Sequence, residues 1–220
     1  MLKMTKMLPV LAVLLLWTTP AQATGAFDIG LGVGYALPSG DMVRELPLAE
    51  QASGALAVHI DALYRYTHRI RFGLTGSYGL VGAGSAIATV HAASQYRMAL
   101  GVTGEYHWAP FASQDPWVSA AVSWSQFTQQ VTTEDLGKFV KDETVWQAPL
   151  GGEVRAGYQF SFSPGLYIGP YVSATFESYN SYKNTTTVGG TSATATVSVP
   201  SDDQTWHAWF GLGVTGRYGL

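Results

Sequence analysis

From Phe27 to Leu220, large apolar residues alternate with small or polar ones at a period of two. Successive side chains of an extended strand point to opposite faces, so this period predicts strands that are apolar on one face only. The first segment sets Phe27, Ile29, Leu31, Val33 and Tyr35 against Asp28, Gly30, Gly32 and Gly34. Seven more follow, at residues 56–66, 70–80, 96–108, 118–124, 150–160, 166–176 and 206–220. The fifth is the weakest. The phase of the seventh is open, because Tyr167 and Tyr171 oppose Ile168, Pro170 and Val172. No Asp, Glu, Lys or Arg falls on the apolar face of any of them.

The connections alternate in length. Residues 37–54, 82–94, 126–148 and 178–204 are long and polar, whereas 68–69, 109–116 and 163–165 are short. Long loops at one end and tight turns at the other are the asymmetry of membrane β-barrels, and they put both termini at the short-turn, periplasmic end. The Thr-rich stretch 184–199 is either disordered or a hairpin standing above the membrane.

Alternation alone also fits a soluble barrel with its apolar face inward. Composition separates the two. Charged residues make up 12% of the chain, against roughly 25% in ordinary soluble domains. The polar face is rich in Gly, Ala and Ser, which suits the crowded interior of an eight-stranded barrel. Lys138, Lys141 and Lys183 all fall in predicted loops. Aromatics cluster at strand ends: Tyr64, Tyr66, Phe72, Tyr106, Trp108, Tyr158, Phe160 and Tyr218 toward one rim, and Tyr35, Tyr78, Tyr96, Trp124, Phe176 and Trp206 toward the other. Such girdles mark membrane interfaces. The expected fold is all-β, an eight-stranded antiparallel up-and-down transmembrane β-barrel.

The opening segment is an address. Lys3 and Lys6 precede the apolar run 8–17, and Ala21 and Ala23 supply a small-x-small cleavage site. Residues 1–23 are therefore expected to be a cleaved signal peptide and 24–220 the barrel. The run falls short of the ~20 residues that a helical crossing needs. With Lys3 and Lys6 gone, 10 basic residues face 15 acidic ones, which gives no footprint for nucleic acid. The chain has no cysteine, which excludes disulfides and a lipid-anchored N-terminal cysteine.

The C-terminal strand, with Leu212, Val214, Tyr218 and Leu220 alternating to the last residue, resembles the signal read by the barrel-assembly machinery, although Leu stands where Phe is usual. Together with Gly32-Val-Gly-Tyr-Ala-Leu-Pro-Ser-Gly-Asp41, the chain resembles the outer-membrane β-barrel domain family, in its OmpA-type and OmpW-type group. The resemblance covers the mature chain as a pattern of faces and loops. It implies a monomer in the bacterial outer membrane, contacting outer-membrane lipid and lipopolysaccharide and, during biogenesis, the assembly machinery. It names no surface partner.

Functional motifs are few. Gly30-Leu-Gly-Val-Gly34 lacks the glycine at 35, and the following helix, that a dinucleotide fold requires. A lipid-modifying hydrolase would need Ser, His and a carboxylate at the outer rim. Only His91 with Ser94 lies there, and no carboxylate is near in sequence. No enzyme, cofactor or metal site is expected, and His59 with Asp61 reads as a hydrogen-bonded lumen pair. The informative set is the lumen charges. Asp28, Asp61, Glu105, Glu153 and Glu177 face Arg65, Arg71, Arg97, Arg155 and Arg217, five against five. Asp28, Arg65, Arg71, Glu105 and Arg217 should form a low layer, Asp61, Glu153 and Arg155 a middle one, and Arg97 and Glu177 a high one, with His59 and His207. The first and last strands are neighbours in a closed barrel, so Asp28 should meet Arg217, with Arg65 the alternative partner. Balanced buried charge points to a plugged lumen and a structural or surface-interaction role. A narrow passive channel for small solutes and the hydrolase are the alternatives.

Mass spectrometry of the outer-membrane fraction should find Thr24 as the first residue. Recovery of the chain with its first 23 residues intact, or from the soluble periplasm, would contradict the export reading.

Overall fold

The computed structural model describes residues 27–87, 92–110, 112–135 and 138–220. The expected signal segment with Ala21 and Ala23 lies outside them, as does His91. Eight strands close a ring: β1 (Phe27–Val43), β3 (Ala52–Arg65), β4 (Ile70–Ala83), β5 (Ala92–His107), β6 (Gln114–Asp135), β7 (Lys138–Ser163), β8 (Leu166–Glu177) and β11 (His207–Gly219). Each pairs antiparallel with its neighbours, and β1 meets β11 from Asp28↔Gly219 to Gly40↔His207. A short β2 (Leu46–Pro47), the single-turn α1 (Leu48–Gln51) and the hairpin β9 (Ser181–Val188) and β10 (Thr191–Ser198) lie at the loop end.

The faces follow the alternation. Ile29, Leu31, Val33, Ile60, Leu100, Val122, Val172 and Leu212 are exposed on the outside, while Asp28, Asp61, Thr103, Glu105, Ser119, Arg155 and Arg217 are buried in the lumen. A soluble monomer rarely exposes contiguous apolar patches beyond a few hundred Å²; here an apolar band passes over every strand of the ring. Both rims carry touching aromatics, Phe27 with Tyr64, Tyr64 with Phe72 and Tyr106 with Trp108 at one end, Tyr78 with Tyr96 at the other. β8 resolves its phase: Tyr171 points inward and Ile168, Pro170 and Val172 point out.

Tyr171 also explains the glycines opposite it. A Cβ at Gly34 would come within 2.6 Å of the Tyr171 hydroxyl, and one at Gly213 within 2.7 Å of its ring. The small face of β1 and β11 is the space that a lumen tyrosine fills.

The long connections differ most from expectation. Within 126–148, predicted as a polar loop, residues 126–135 and 138–148 continue β6 and β7 as a paired ladder from Ser125↔Ala148 to Asp135↔Lys138. Thr128, Val131, Thr132, Val140 and Val145 are β-branched, and such residues suit a half-buried strand even in a polar stretch. Between Ser123↔Gly151 and Ser125↔Ala148 one extra residue on β7 makes a bulge at Pro149–Leu150. It switches the inward set from Gly151 and Arg155 to Trp146 and Ala148. β9 then pairs with the upper half of β7, from Gln147↔Ser181 to Val140↔Val188. Of the two alternatives for 184–199, the hairpin is the one formed, turned at Gly189–Gly190 with φ of +57° and +87°, values that suit a two-residue primed turn.

Leu100 and Leu212 are 55% and 68% exposed on the outer face. Replacing either by Arg should cost about 2–4 kcal/mol in urea unfolding from lipid, the range for cations at the midplane of a barrel's lipid face. Spin labels at 100 and 212 should report lipid, and labels at Thr103 and Thr215 the packed lumen. Water contact at the first pair would turn the faces around.

Candidate functional site: the lumen charge column

Alternation sends every second side chain of eight strands into one narrow interior, so whatever the sequence puts on that face must pack together. Nearest the end that carries Phe27 and Leu220, Asp28 is ion-paired with Arg65 and, at 3.1 Å, with Arg71. Beside it Glu105 takes Arg217 in a two-pronged contact, Oε2 to Nη1 at 2.6 Å and Oε1 to Nη2 at 2.8 Å. Such fork-on-carboxylate pairs fix geometry as well as charge. The Arg217 guanidinium also lies over the Trp117 ring, 5.7 Å from its centroid.

His107 extends this layer. Its Nδ1 lies 2.6 Å from Asp115 Oδ2, and its Nε2 is 3.2 Å from both Glu105 Oε2 and Arg217 Nη1. With Nδ1–H donated to Asp115, Nε2 accepts from Arg217 in the neutral ring and donates to Glu105 in the imidazolium. The Ala109 N–H donates to the second Asp115 oxygen at 3.1 Å.

The middle layer centres on Arg155, which donates to both oxygens of Asp61 at 3.0 and 2.9 Å and lies 3.6 Å from Glu153. In the high layer Glu177 is held by Arg97, with His207 Nε2 at 3.6 Å. Trp209 lies under the Arg97 guanidinium at 5.9 Å. Over this layer sits an apolar stopper of Met42, Leu48, Phe127, Trp146, Tyr179 and Trp209. Met42 comes from the upper end of β1 and Leu48 from α1, and this end of the chain is tied across the mouth by Arg44 N–H to the Asp203 carbonyl (2.9 Å) and Thr205 Oγ1 to the Asp41 carbonyl (2.7 Å).

All ten predicted lumen charges have an ion-pair partner on the lumen face and fall in the layers expected of them, but His59, expected in the high layer, does not. The expected Asp28–Arg217 contact does not form. Arg217 is drawn to Glu105, while Arg65 and Arg71 take Asp28. Strand neighbours share a register, but a long arginine reaches across the lumen to the carboxylate whose two oxygens match its fork. His59 lies beside the middle layer, its ring edge-on to Tyr171 at 5.9 Å. Sequence reasoning misses Asp115, Trp117 and the stopper. Asp115 and Trp117 share the phase of Ser119 and Ala121, which is the available signal, but an alternation that begins at 118 leaves both in a turn. Leu212, Val214, Tyr218 and Leu220 line up on the outer face of the last strand and its end. Among the described residues, no cluster of three or more His, Asp or Glu is arranged to hold a metal.

No protein-family model matches the chain, and no curated protein matches its sequence. Solved structures match its fold. Neisserial surface protein A (NspA) aligns at 13% identity over 90% of this chain and 100% of that one, with a TM-score of 0.50. A major outer membrane protein from Thermus thermophilus aligns at 12% identity over 89% and 100%, with a TM-score of 0.59. At these identities the likeness is one of fold. The chain is an eight-stranded antiparallel transmembrane β-barrel. Its architecture is that of the small outer-membrane barrels.

Arg217→Ala strands Glu105 among buried groups and should cost about 3–5 kcal/mol where the layer is dry, less where water enters. The Glu105→Ala, Arg217→Ala double variant should recover part of that loss. A double-mutant cycle by urea unfolding checks it: coupling is expected for Glu105 with Arg217 and near zero for Asp28 with Arg217, and the reverse order would contradict the arrangement.

Proposed function

We propose that the protein is an integral component of the bacterial outer membrane, with both termini periplasmic, and that its barrel is a closed anchor and not a conduit. The observation that supports this reading is the packing of the lumen. Three layers of paired charge fill it, and an apolar stopper caps the loop end. An ion crossing such a lumen would have to break fork-on-carboxylate pairs and then pass an aromatic seal, and neither offers a single-sign path. The apolar band outside the ring meets outer-membrane lipid and lipopolysaccharide, and the alternating last strand is the segment offered to the assembly machinery. The barrel acts as a monomer within its membrane and carries no catalytic chemistry. What it offers its surroundings is the sheet built by the upper halves of β6 and β7 with β9 and β10. This is a structural, surface-contacting role.

In planar bilayers the purified barrel should be electrically silent. Replacing residues 41–51 by a short turn removes the stopper's Met42 and Leu48 and should leave the barrel silent, because the charge layers remain. Steady single-channel steps in the unaltered barrel would overturn the closed reading and favour the passive channel.

A further inference from the structure

The ring strands are paired on both sides, but among the described residues β10 has a neighbour on one side only. All eight of its residues are exposed. The Gly189–Gly190 turn makes Val188 and Thr191 the first hydrogen-bonded pair, so alternate residues beyond it turn their N–H and C=O groups away from β9. Those residues are Ser192, Thr194, Thr196 and Ser198. Exposed edges are ordinarily blunted with charge, proline or a bulge, and β10 has none of the three.

The sequence of the edge indicates what would pair with it. Ser192-Ala-Thr-Ala-Thr-Val-Ser198 reads the same in both directions by residue type, hydroxyl alternating with apolar. Laid antiparallel on itself about Ala195, it sets Ser192 opposite Ser198, Thr194 opposite Thr196, and Ala193 opposite Val197. Hydroxyls meet hydroxyls on one face and methyls meet methyls on the other. Within one copy this face already shows the same habit, with Thr185 and Thr194 hydroxyls at 3.1 Å and Thr187 and Ser192 at 2.8 Å. No charge on β10 opposes its own copy.

We infer that β10 is a homotypic docking edge that joins this protein to a second copy in a facing membrane. The inference rests on the reading of the barrel as a membrane anchor. The orientation follows from symmetry. β7 runs from the ring up to β9, so the upper sheet extends the barrel wall. Antiparallel pairing of two identical edges needs a twofold axis perpendicular to that sheet. This axis reverses every direction within the sheet, the membrane normal included. Two barrels in one membrane share that normal and cannot pair in this way, whereas two in opposed membranes can. The four outward residues of each copy each supply one N–H and one C=O.

The test uses the full mature barrel in phosphatidylcholine–phosphatidylglycerol vesicles, with clustering read by energy transfer between separately labelled populations. Ala195 stands opposite its own copy, so Ala195→Lys vesicles and Ala195→Glu vesicles should each fail to cluster alone, at the level of protein-free vesicles. Mixed together they should cluster again, because Lys then faces Glu. Thr194→Pro removes one outward N–H and no backbone hydrogen bond to β9, only the hydroxyl contact with Thr185, and should abolish clustering while heat-modifiable gel mobility stays unchanged. Clustering that persists in Ala195→Lys vesicles, or single variants that fail and are not rescued by mixing, would overturn the inference. Dye retention in the same vesicles keeps the two readings apart: leaky vesicles that cluster refute the closed lumen and spare the edge, and tight vesicles that never cluster do the opposite.

Discussion

The ladder between β1 and β11 is the interaction on which the rest depends. Hydrocarbon offers no partner to a backbone N–H or C=O, so a sheet in a bilayer must leave no edge. Closing the first strand on the last, from Asp28↔Gly219 to Gly40↔His207, removes both edges at once. Closure then dictates the faces, since a slip of one residue would turn Leu31 and Val214 inward and Asp61 and Arg155 into lipid. It also dictates the interior. Eight strands leave a core that side chains themselves must fill, and Tyr171 fits only because Gly34 and Gly213 stand opposite it.

The same closure makes the charge column possible. An isolated carboxylate in that interior would be costly, and Glu105 is tolerated because Arg217 and His107 meet its oxygens. Asp61 and Glu177 are met in the same way by Arg155 and Arg97. The layers follow from where each strand places its charge. The choice of partner within a layer follows from side-chain reach and fork geometry. Above the ring the requirement lapses, because water can satisfy backbone groups there. This is why β10 can stand as an open edge on the same chain whose membrane part has none.

What the sequence made legible divides along this line. Strand number, facing, the aromatic rims and the members of each charge layer came from a period of two, which the bilayer enforces strictly. The partner of Arg217 was not legible, because parity fixes a face and a rough height but not which of several carboxylates an arginine reaches. The extension of β6 to Asp135 and of β7 from Lys138 was hidden by its polar composition: strands that leave the membrane need no apolar face, and Thr and Gln read there as loop. The bulge at Pro149–Leu150 concealed it further by switching the phase within one strand. The stopper was illegible for a different reason. Met42, Phe127 and Trp146 come from the upper ends of β1, β6 and β7, Leu48 from α1 and Tyr179 from the connection after β8, and they meet only once the ring has closed.

A charge column of this kind requires the buried arginines to be locked in fixed pairs and not solvated in an open lumen. Nitrogen-resolved NMR of arginine side chains, with the barrel in lipid nanodiscs, tests this most directly. Arg44, exposed at the loop end, serves as the internal reference. Arg155 and Arg217 should each show separate Nη1 and Nη2 signals with slow proton exchange, as a guanidinium clamped on two carboxylate oxygens must. Averaged signals with exchange as fast as that of Arg44 would mean a mobile, hydrated lumen and would contradict the locked column.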